Sequence, residues 1–405
     1  MKTRDRIAGS LYGMTIGDTL GSSLEFGQPT PKDQPQHTEI EGGGGFGWRR
    51  GQGTDDSDMA FALARTYASG YDINKLGQEF VSWRRSCRDI GGATSRAIAK
   101  LEAGVPPLAS GGRNEQDAGN GSLMRIAPVG LTQRHPAKRR QQAIEAGDIT
   151  HADSRATGSC IFYSELLSHL VDGNGVDRAL EAAFAVPIDD ERVKAAAAEG
   201  LEPGKAIEDL GTSGYVLHGL ALGTWALRRA EEVGAEQALV EIVNRGDDSD
   251  TNGAIAGALL GALYGKDAWP ERWRSVVEYG PAIDALAPVL DKRRRYAFLR
   301  PRAKERERFA AWGDEQWSLL SGRPARTREA GPLVFAGAVG SDALVVVDET
   351  SGLFAKPLRD KRPIPCPGTN VDGSRCGNMV AAHGERCQQH DQKKRSARKK
   401  PAARR

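Results

Sequence analysis

Gly246-Asp247-Asp248-Ser249-Asp250-Thr251-Asn252-Gly253-Ala254-Ile255-Ala256-Gly257-Ala258-Leu259 passes from a loop dense in carboxylates and hydroxyls straight into an apolar helix. The helical reading rests on the spacing of Ile255, Leu259, Leu260 and Leu263, which recur with the period of one helix face. Acids and hydroxyls at such a start accept backbone N–H bonds and suit the positive end of the helix dipole. The helix is rich in Ala and Gly. Each internal Gly costs up to about 1 kcal/mol relative to Ala, so close packing of small residues against a neighbouring backbone has to compensate.

Working outward, helix-period apolar sets recur at Ile7, Leu11 and Met14, at Met59, Leu63 and Thr66, and at Ile161, Leu166, Leu167 and Leu170. A further strong set is Tyr215, Leu217, Leu220, Leu222, Trp225 and Leu227. Residues 1–290 therefore read as an all-α, compact helical domain. A basic helical connector is expected over 291–330. A short β segment is expected over 331–362, where Leu333-Val334-Phe335 and Leu344-Val345-Val346-Val347 look extended. Apolar residues make up 39% of the 405, with 49 Gly besides, as in folded globular chains. No apolar run approaches the roughly 18 residues of a membrane helix. Met1-Lys2-Thr3-Arg4-Asp5-Arg6 does not open a signal-peptide core, so a cytoplasmic protein is expected. The net charge of +3 hides a polarity: residues 391–405 alone carry eight Lys/Arg and one Asp.

A second acid-and-hydroxyl cluster, Gly53-Thr54-Asp55-Asp56-Ser57-Asp58-Met59, repeats the grammar of the first. Each cluster alone reads as a helix N-cap. Two of one form invite another reading. Crowded carboxylates repel unless a cation neutralises them, and hard Asp and Thr oxygens suit Mg²⁺ or Mn²⁺. Neither cluster contains the His or Cys that zinc favours. If the two loops converge, they make a two-metal cage.

Further motifs make the pattern specific. They are Gly17-Asp18-Thr19-Leu20-Gly21 with Glu25-Phe26, then Gly119-Asn120-Gly121-Ser122-Leu123-Met124-Arg125-Ile126-Ala127-Pro128, Thr150-His151-Ala152-Asp153, and Ser213-Gly214-Tyr215-Val216. With the two acid clusters, these six motifs in order resemble the ADP-ribosylglycohydrolase family, the family of dinitrogenase-reductase-activating glycohydrolase. Two departures stand out. Ser57 takes the place of a Thr, and Asp247 takes the place of the family's second Gly.

The resemblance implies a compact all-helical domain with a binuclear Mg²⁺ or Mn²⁺ site held by Thr54, Asp55, Asp56, Asp248, Asp250 and Thr251. It also implies hydrolysis of the bond between the ADP-ribose anomeric carbon and an acceptor such as arginine or serine in a protein. The residue types suit that reaction. Cleavage at an anomeric carbon develops oxocarbenium character. Metals can hold the ribose hydroxyls and lower the pKa of a water. A carboxylate must steer or deprotonate that water, and Glu25 and Asp56 are the candidates. Asn120, Gly121 and Ser122 are candidates for holding ribose or phosphate, though the same run also reads as a Gly-rich turn before a buried Met124. His151 is a candidate for the diphosphate or adenosine side, or else a capping or core histidine. Gly214 and Tyr215 could offer N–H groups and an aromatic face at a helix start. Gly42–Gly45 with Phe46 and Trp48 could form a flap. The alternative reading is a non-catalytic ADP-ribose or nucleotide-binding protein tethered by its C-terminal region.

That region carries Cys366, Cys376, Cys387 and His390, three thiolates and an imidazole suited to a structural Zn²⁺ in a module over 363–390. His383 competes as fourth ligand. The basic tail over 391–405 is expected to be disordered when free. It is attracted to nucleic acid or another polyanion, or else merely solubilises.

Overall fold

Helix α1 (Thr3–Gly21) and helix α13 (Ser249–Tyr264) lie antiparallel and nearly touch, backbone to backbone. A Cβ placed on Gly13 would sit 2.1 Å from the Gly257 carbonyl oxygen, and one on Gly257 would sit 2.0 Å from that of Gly13. The same interlock repeats between Gly9 and Gly261 and between Gly17 and Gly253. Here the helix glycines find the close packing that offsets their low propensity. Both helices are buried on all sides, including Ile7, Leu11, Met14, Ile255, Leu259 and Leu260. They form the central pair of the fold.

This computed structural model describes residues 1–296, together with the backbone of Ile364–Pro365 and Met379–Val380. Around the central pair stand α2 (Asp55–Ser69), α3 (Ile73–Arg84), α4 (Gly92–Glu102), α5 (Pro107–Ser110), α6 (Ala127–Thr132), α7 (Pro136–Asp148) and α8 (Ser154–Val171). Then come α9 (Val176–Ala185), α10 (Glu191–Glu199), α11 (Val216–Val233), α12 (Ala235–Val243), α14 (Glu271–Arg274) and α15 (Gly280–Arg295). Residues 1–296 form no strand longer than an isolated bridge, so the all-α expectation holds there. No described helix is long and apolar enough to cross a membrane.

Ile364–Pro365 pairs antiparallel with Met379–Val380. The β segment expected over 331–362, the Cys366, Cys376, Cys387 and His390 cluster, and the basic tail lie outside the described residues.

Helix α15 runs past residue 290, and its last turn is anchored. Arg294, 2% exposed, donates to the Ser168 carbonyl at 2.7 Å and the Gly130 carbonyl at 3.0 Å, and pairs with Asp172 at 2.9 Å. Truncation would remove this buried guanidinium from the Gly130 carbonyl and from Asp172, while the Ser168 carbonyl would keep the Asp172 N–H at 3.2 Å. Arg294→Ala should lower unfolding free energy by about 3 kcal/mol. Arg295→Ala, which removes an i,i+4 pair between an exposed guanidinium and the largely buried Asp291, should cost no more than about 1 kcal/mol. Urea denaturation of both variants checks the contrast.

Candidate metal centre

The two acid clusters do open helices, but they use their side chains differently. Thr54 caps α2: its Oγ1 accepts the Asp56 N–H at 3.3 Å. Asp248 occupies the N-cap position of α13 yet accepts no capping bond. Its Oδ2 instead accepts from Asn120 Nδ2 at 2.5 Å. The helix starts converge on Asp56, whose Oδ2 accepts from Thr54 Oγ1 and from Thr251 Oγ1, each at 3.2 Å. Thr54, Asp56, Asp250 and Thr251 are all 5% exposed or less. The turn before α13 shows what the Asp247 departure costs. Gly246 and Asp247 both have positive φ, 65° and 53°, so Asp247 sits where Gly is the easier residue. Its side chain faces outward and accepts from Thr212 Oγ1 at 3.2 Å.

Two acids complete the cluster without having been assigned a role from sequence. Asp18, fully buried on α1, accepts the backbone N–H groups of Thr54 and Ser57 at 3.1 and 3.2 Å and the Ser57 hydroxyl. It ties the start of α2 to the central helix. Asp89, on the α3–α4 connection, groups with Glu25 and Asp250, one oxygen of each lying within 4.8 Å of the others. Asp89 follows Cys87-Arg88 in a stretch with no periodic or motif signal, so only the tertiary structure reveals it. Asp18 belongs to the Gly17–Gly21 motif, but its full burial is a tertiary property that local sequence does not carry.

Burial raises the pKa of every acid here. Desolvation is the main cause for Asp55, Asp56 and Asp250, which stand well above the usual carboxylate range, and neighbouring carboxylates push the same way. Glu25 is pushed up by burial and by Asp89 and Asp248. Asp18 rises to about 7 despite the bonds from Ser57 and Thr54. Asp248 rises to about 6, with the Asn120 bond opposing. No described Lys or Arg forms a salt bridge with Glu25, Asp55, Asp56, Asp248 or Asp250. Glu25 Oε2, Asp56 Oδ1 and Asp250 Oδ1 are buried with no hydrogen-bond partner. A like-charged cluster with orphaned oxygens and no internal cation fits hard divalent cations, and its all-oxygen donor set fits Mg²⁺ or Mn²⁺.

The remaining sequence candidates surround Asn120. Its backbone N–H donates to the Gly214 carbonyl at 3.0 Å, and Val216 N–H donates to the Ala118 carbonyl at 3.0 Å. This bridge brings the Gly119–Ser122 turn beside the start of α11. Gly214 is exposed, and a Cβ there would lie 3.5 Å from Asp248 Oδ2. Tyr215 is half-buried, with the Arg155 guanidinium 5.6 Å from its ring centroid. His151 lies beneath the turn. A Cβ on Gly121 would meet its ring at 2.7 Å, so the imidazole supports this glycine. Burial, reinforced by Arg125, drops the His151 pKa to about 3, and its Nδ1 bonds Thr150 Oγ1 at 2.8 Å. A neutral, buried ring positions the turn. The Ser122 side chain is also fully buried and accepts from the Cys160 thiol at 3.4 Å, which leaves only its backbone for a ligand.

The site is thus a helical body whose two acid-bearing helix starts converge on one buried carboxylate cluster. Residues 1–300 match the ADP-ribosylglycohydrolase family. The chain belongs to that family of enzymes. It is 33% identical over 298 residues to "ADP-ribosylarginine hydrolase Tri1" of Pseudomonas putida (strain GB-1), covering 71% of this chain and 78% of that one. It is 30% identical to "ADP-ribosyl-[dinitrogen reductase] glycohydrolase" of Rhodospirillum rubrum, covering 68% of this chain and 90% of the relative. A solved structure titled "ADP-ribosylglycohydrolase-related protein complex" superposes with a TM-score of 0.61 at 30% identity, covering 72% of this chain and 99% of that one.

Proposed function

We propose that the protein is a divalent-cation-dependent hydrolase that removes ADP-ribose from an arginine side chain of a modified protein, acting in the cytoplasm. The observation that carries this reading is the buried convergence of Thr54, Asp56, Asp250 and Thr251, with carboxylate oxygens left unpartnered. The arginine acceptor follows the named activity of the Pseudomonas putida relative.

Thr54, Asp55, Asp56, Asp248, Asp250 and Thr251 would hold two Mg²⁺ or Mn²⁺. When bound, such cations supply Lewis acidity and charge that orient a ribose and favour water attack at its anomeric carbon. Asn120 fixes the Asp248 carboxylate from the side. Glu25 and Asp56 are the proposed proton-handling acids, and Asp89, within the Glu25 group, joins them as a third. Glu25 Oε2 carries no bond that would have to break before it accepts a proton. Exposed Gly214 and half-buried Tyr215 would take the ADP portion at the start of α11. The Cys366, Cys376, Cys387 and His390 set remains proposed as a structural zinc site, and the tail as a polyanion-binding appendage.

Cation binding should be visible without turnover. Adding Mn²⁺ or Mg²⁺ at about 100 times its Kd to chelator-stripped protein should stabilise it by about 2.7 kcal/mol, roughly 5 °C in Tm. Asp250→Asn should cancel most of that shift. An unchanged melting curve for the wild type with either ion would remove the metal from the proposal. Activity is tested by ADP-ribose release from ADP-ribosylarginine, ADP-ribosylserine and ADP-ribosylated nucleic acid; no release from any of them would refute the function.

A further inference from the structure

Phe26 is a large apolar side chain in an expensive place. It is 68% exposed, and its φ of 62° is left-handed, a conformation that costs an ordinary residue about 1 kcal/mol or more. The backbone is held there deliberately. Phe26 N–H donates to the Asp247 carbonyl at 2.7 Å, and Asp247 N–H donates to the Gly27 carbonyl at 2.9 Å. The loop carrying Phe26 is thus clamped to the turn that carries Asp248. Strain kept at an exposed aromatic beside a reactive cluster points to a ligand contact rather than to packing.

Phe26 does not stand alone. Its ring centroid lies 6.2 Å from that of Phe46, which lies 5.7 Å from that of Trp48. Phe46 is presented by a tight hairpin closed by the Gly43–Trp48 backbone pair, with both N–H to carbonyl distances 2.8 Å. The wall already holds one guanidinium: Arg88 sits 5.8 Å from the Trp48 ring centroid and donates to the Gly47 carbonyl at 3.1 Å. Chain connectivity ties this wall to the acids. Phe26 follows Glu25, and Arg88 precedes Asp89, and both carboxylates belong to the group with Asp250. The proposed ADP-side residues reach the cluster through a different acid, Asp248, by way of Asn120 and Gly214.

We propose that Phe26 and Phe46 form the acceptor subsite, a platform on which the planar, cationic guanidinium of the substrate arginine stacks as its linkage to ribose meets Glu25 and Asp89. This rests on the arginine-hydrolase reading and names the residues that give it acceptor selectivity. Aromatic faces attract guanidinium groups through the ring quadrupole, and the adjacent carboxylates add attraction for the same charge. A serine acceptor offers neither plane nor charge, so the platform contributes nothing to its recognition.

The test compares wild type, Phe26→Ala/Phe46→Ala and Phe26→Tyr in the full chain, with free ADP-ribose as a competitive inhibitor that lacks the acceptor. The double alanine variant should raise KM for ADP-ribosylarginine about tenfold, the size expected from losing stacked cation–π contacts. The Ki for ADP-ribose should stay within about twofold, and Phe26→Tyr should behave as wild type. An unmoved KM, a parallel loss of ADP-ribose affinity, or a Tyr variant as impaired as the alanine one overturns the platform. A wild-type enzyme inactive on ADP-ribosylarginine overturns the arginine reading and the platform together, so the two failures are told apart by the wild-type control.

Discussion

Asp250→Asn is expected to reduce kcat by about a thousandfold while leaving the protein folded. The reasoning starts from the electrostatics. Asp250 is 1% exposed, its Oδ1 has no partner, and burial with Asp56 and Asp248 holds its pKa far above the usual range. In the absence of cations such a group burdens the fold. Replacing it by a neutral amide of the same shape removes that burden, so the metal-free Tm of Asp250→Asn should equal or exceed that of metal-free wild type. The same change deletes an anionic oxygen from the proposed cation site. Cation-dependent stabilisation and catalysis should therefore be lost together. A residue kept for packing would behave oppositely, with stability falling and activity falling only in proportion. Steady-state rates with Mn²⁺, paired with melting curves in chelator and in Mn²⁺, separate the two cases. A variant that loses metal-free stability and keeps its kcat would contradict the assignment.

Gly257→Val should have the largest effect on folding. A Cβ at Gly257 would lie 2.0 Å from the Gly13 carbonyl oxygen and 2.6 Å from its carbonyl carbon, with backbone on the opposing side and no flexible side chain to yield. Relief requires α1 and α13 to separate along a seam that also holds Gly9, Gly17, Gly253 and Gly261. A loss above about 4 kcal/mol is expected, enough to take a domain of ordinary stability to the edge of unfolding. Soluble yield and urea unfolding report it. Gly45→Ala, where an added Cβ meets nothing within 4 Å, should stay within about 0.5 kcal/mol of wild type. The seam also bears on function. Asp18 lies on α1 and Asp250 on α13, so the distance between these helices sets the width of the acid cluster.

Much of this was legible in the sequence because it is local. Helix periodicity showed the helical body, and the Thr54 and Asp248 clusters announced helix starts. What could not be read is which use each start makes of its side chains. Thr54 caps its helix, whereas Asp248 gives up the cap to meet Asn120, a choice made by a partner 128 residues away. His151 looked equally suited to ligand and to core, and only the ring lying under Gly121 distinguishes them. Asp89 had no local signature at all. The basic residues at the start of the helical connector expected over 291–330 carry no sign of burial, yet Arg294 turns inward to the carbonyls of Gly130 and Ser168. Tertiary contacts, invisible to periodicity, account for each of these.

The most direct test treats the purified protein with chelator, removes the chelator, and follows release of free ADP-ribose from ADP-ribosylarginine. Measurements are made with Mn²⁺ or Mg²⁺, with chelator, and with the Asp248→Ala/Asp250→Ala double variant. The proposed cation-dependent function predicts release by the wild type with either ion, and none with chelator or from the double variant. Release that persists in chelator, or that survives the double substitution, would contradict it.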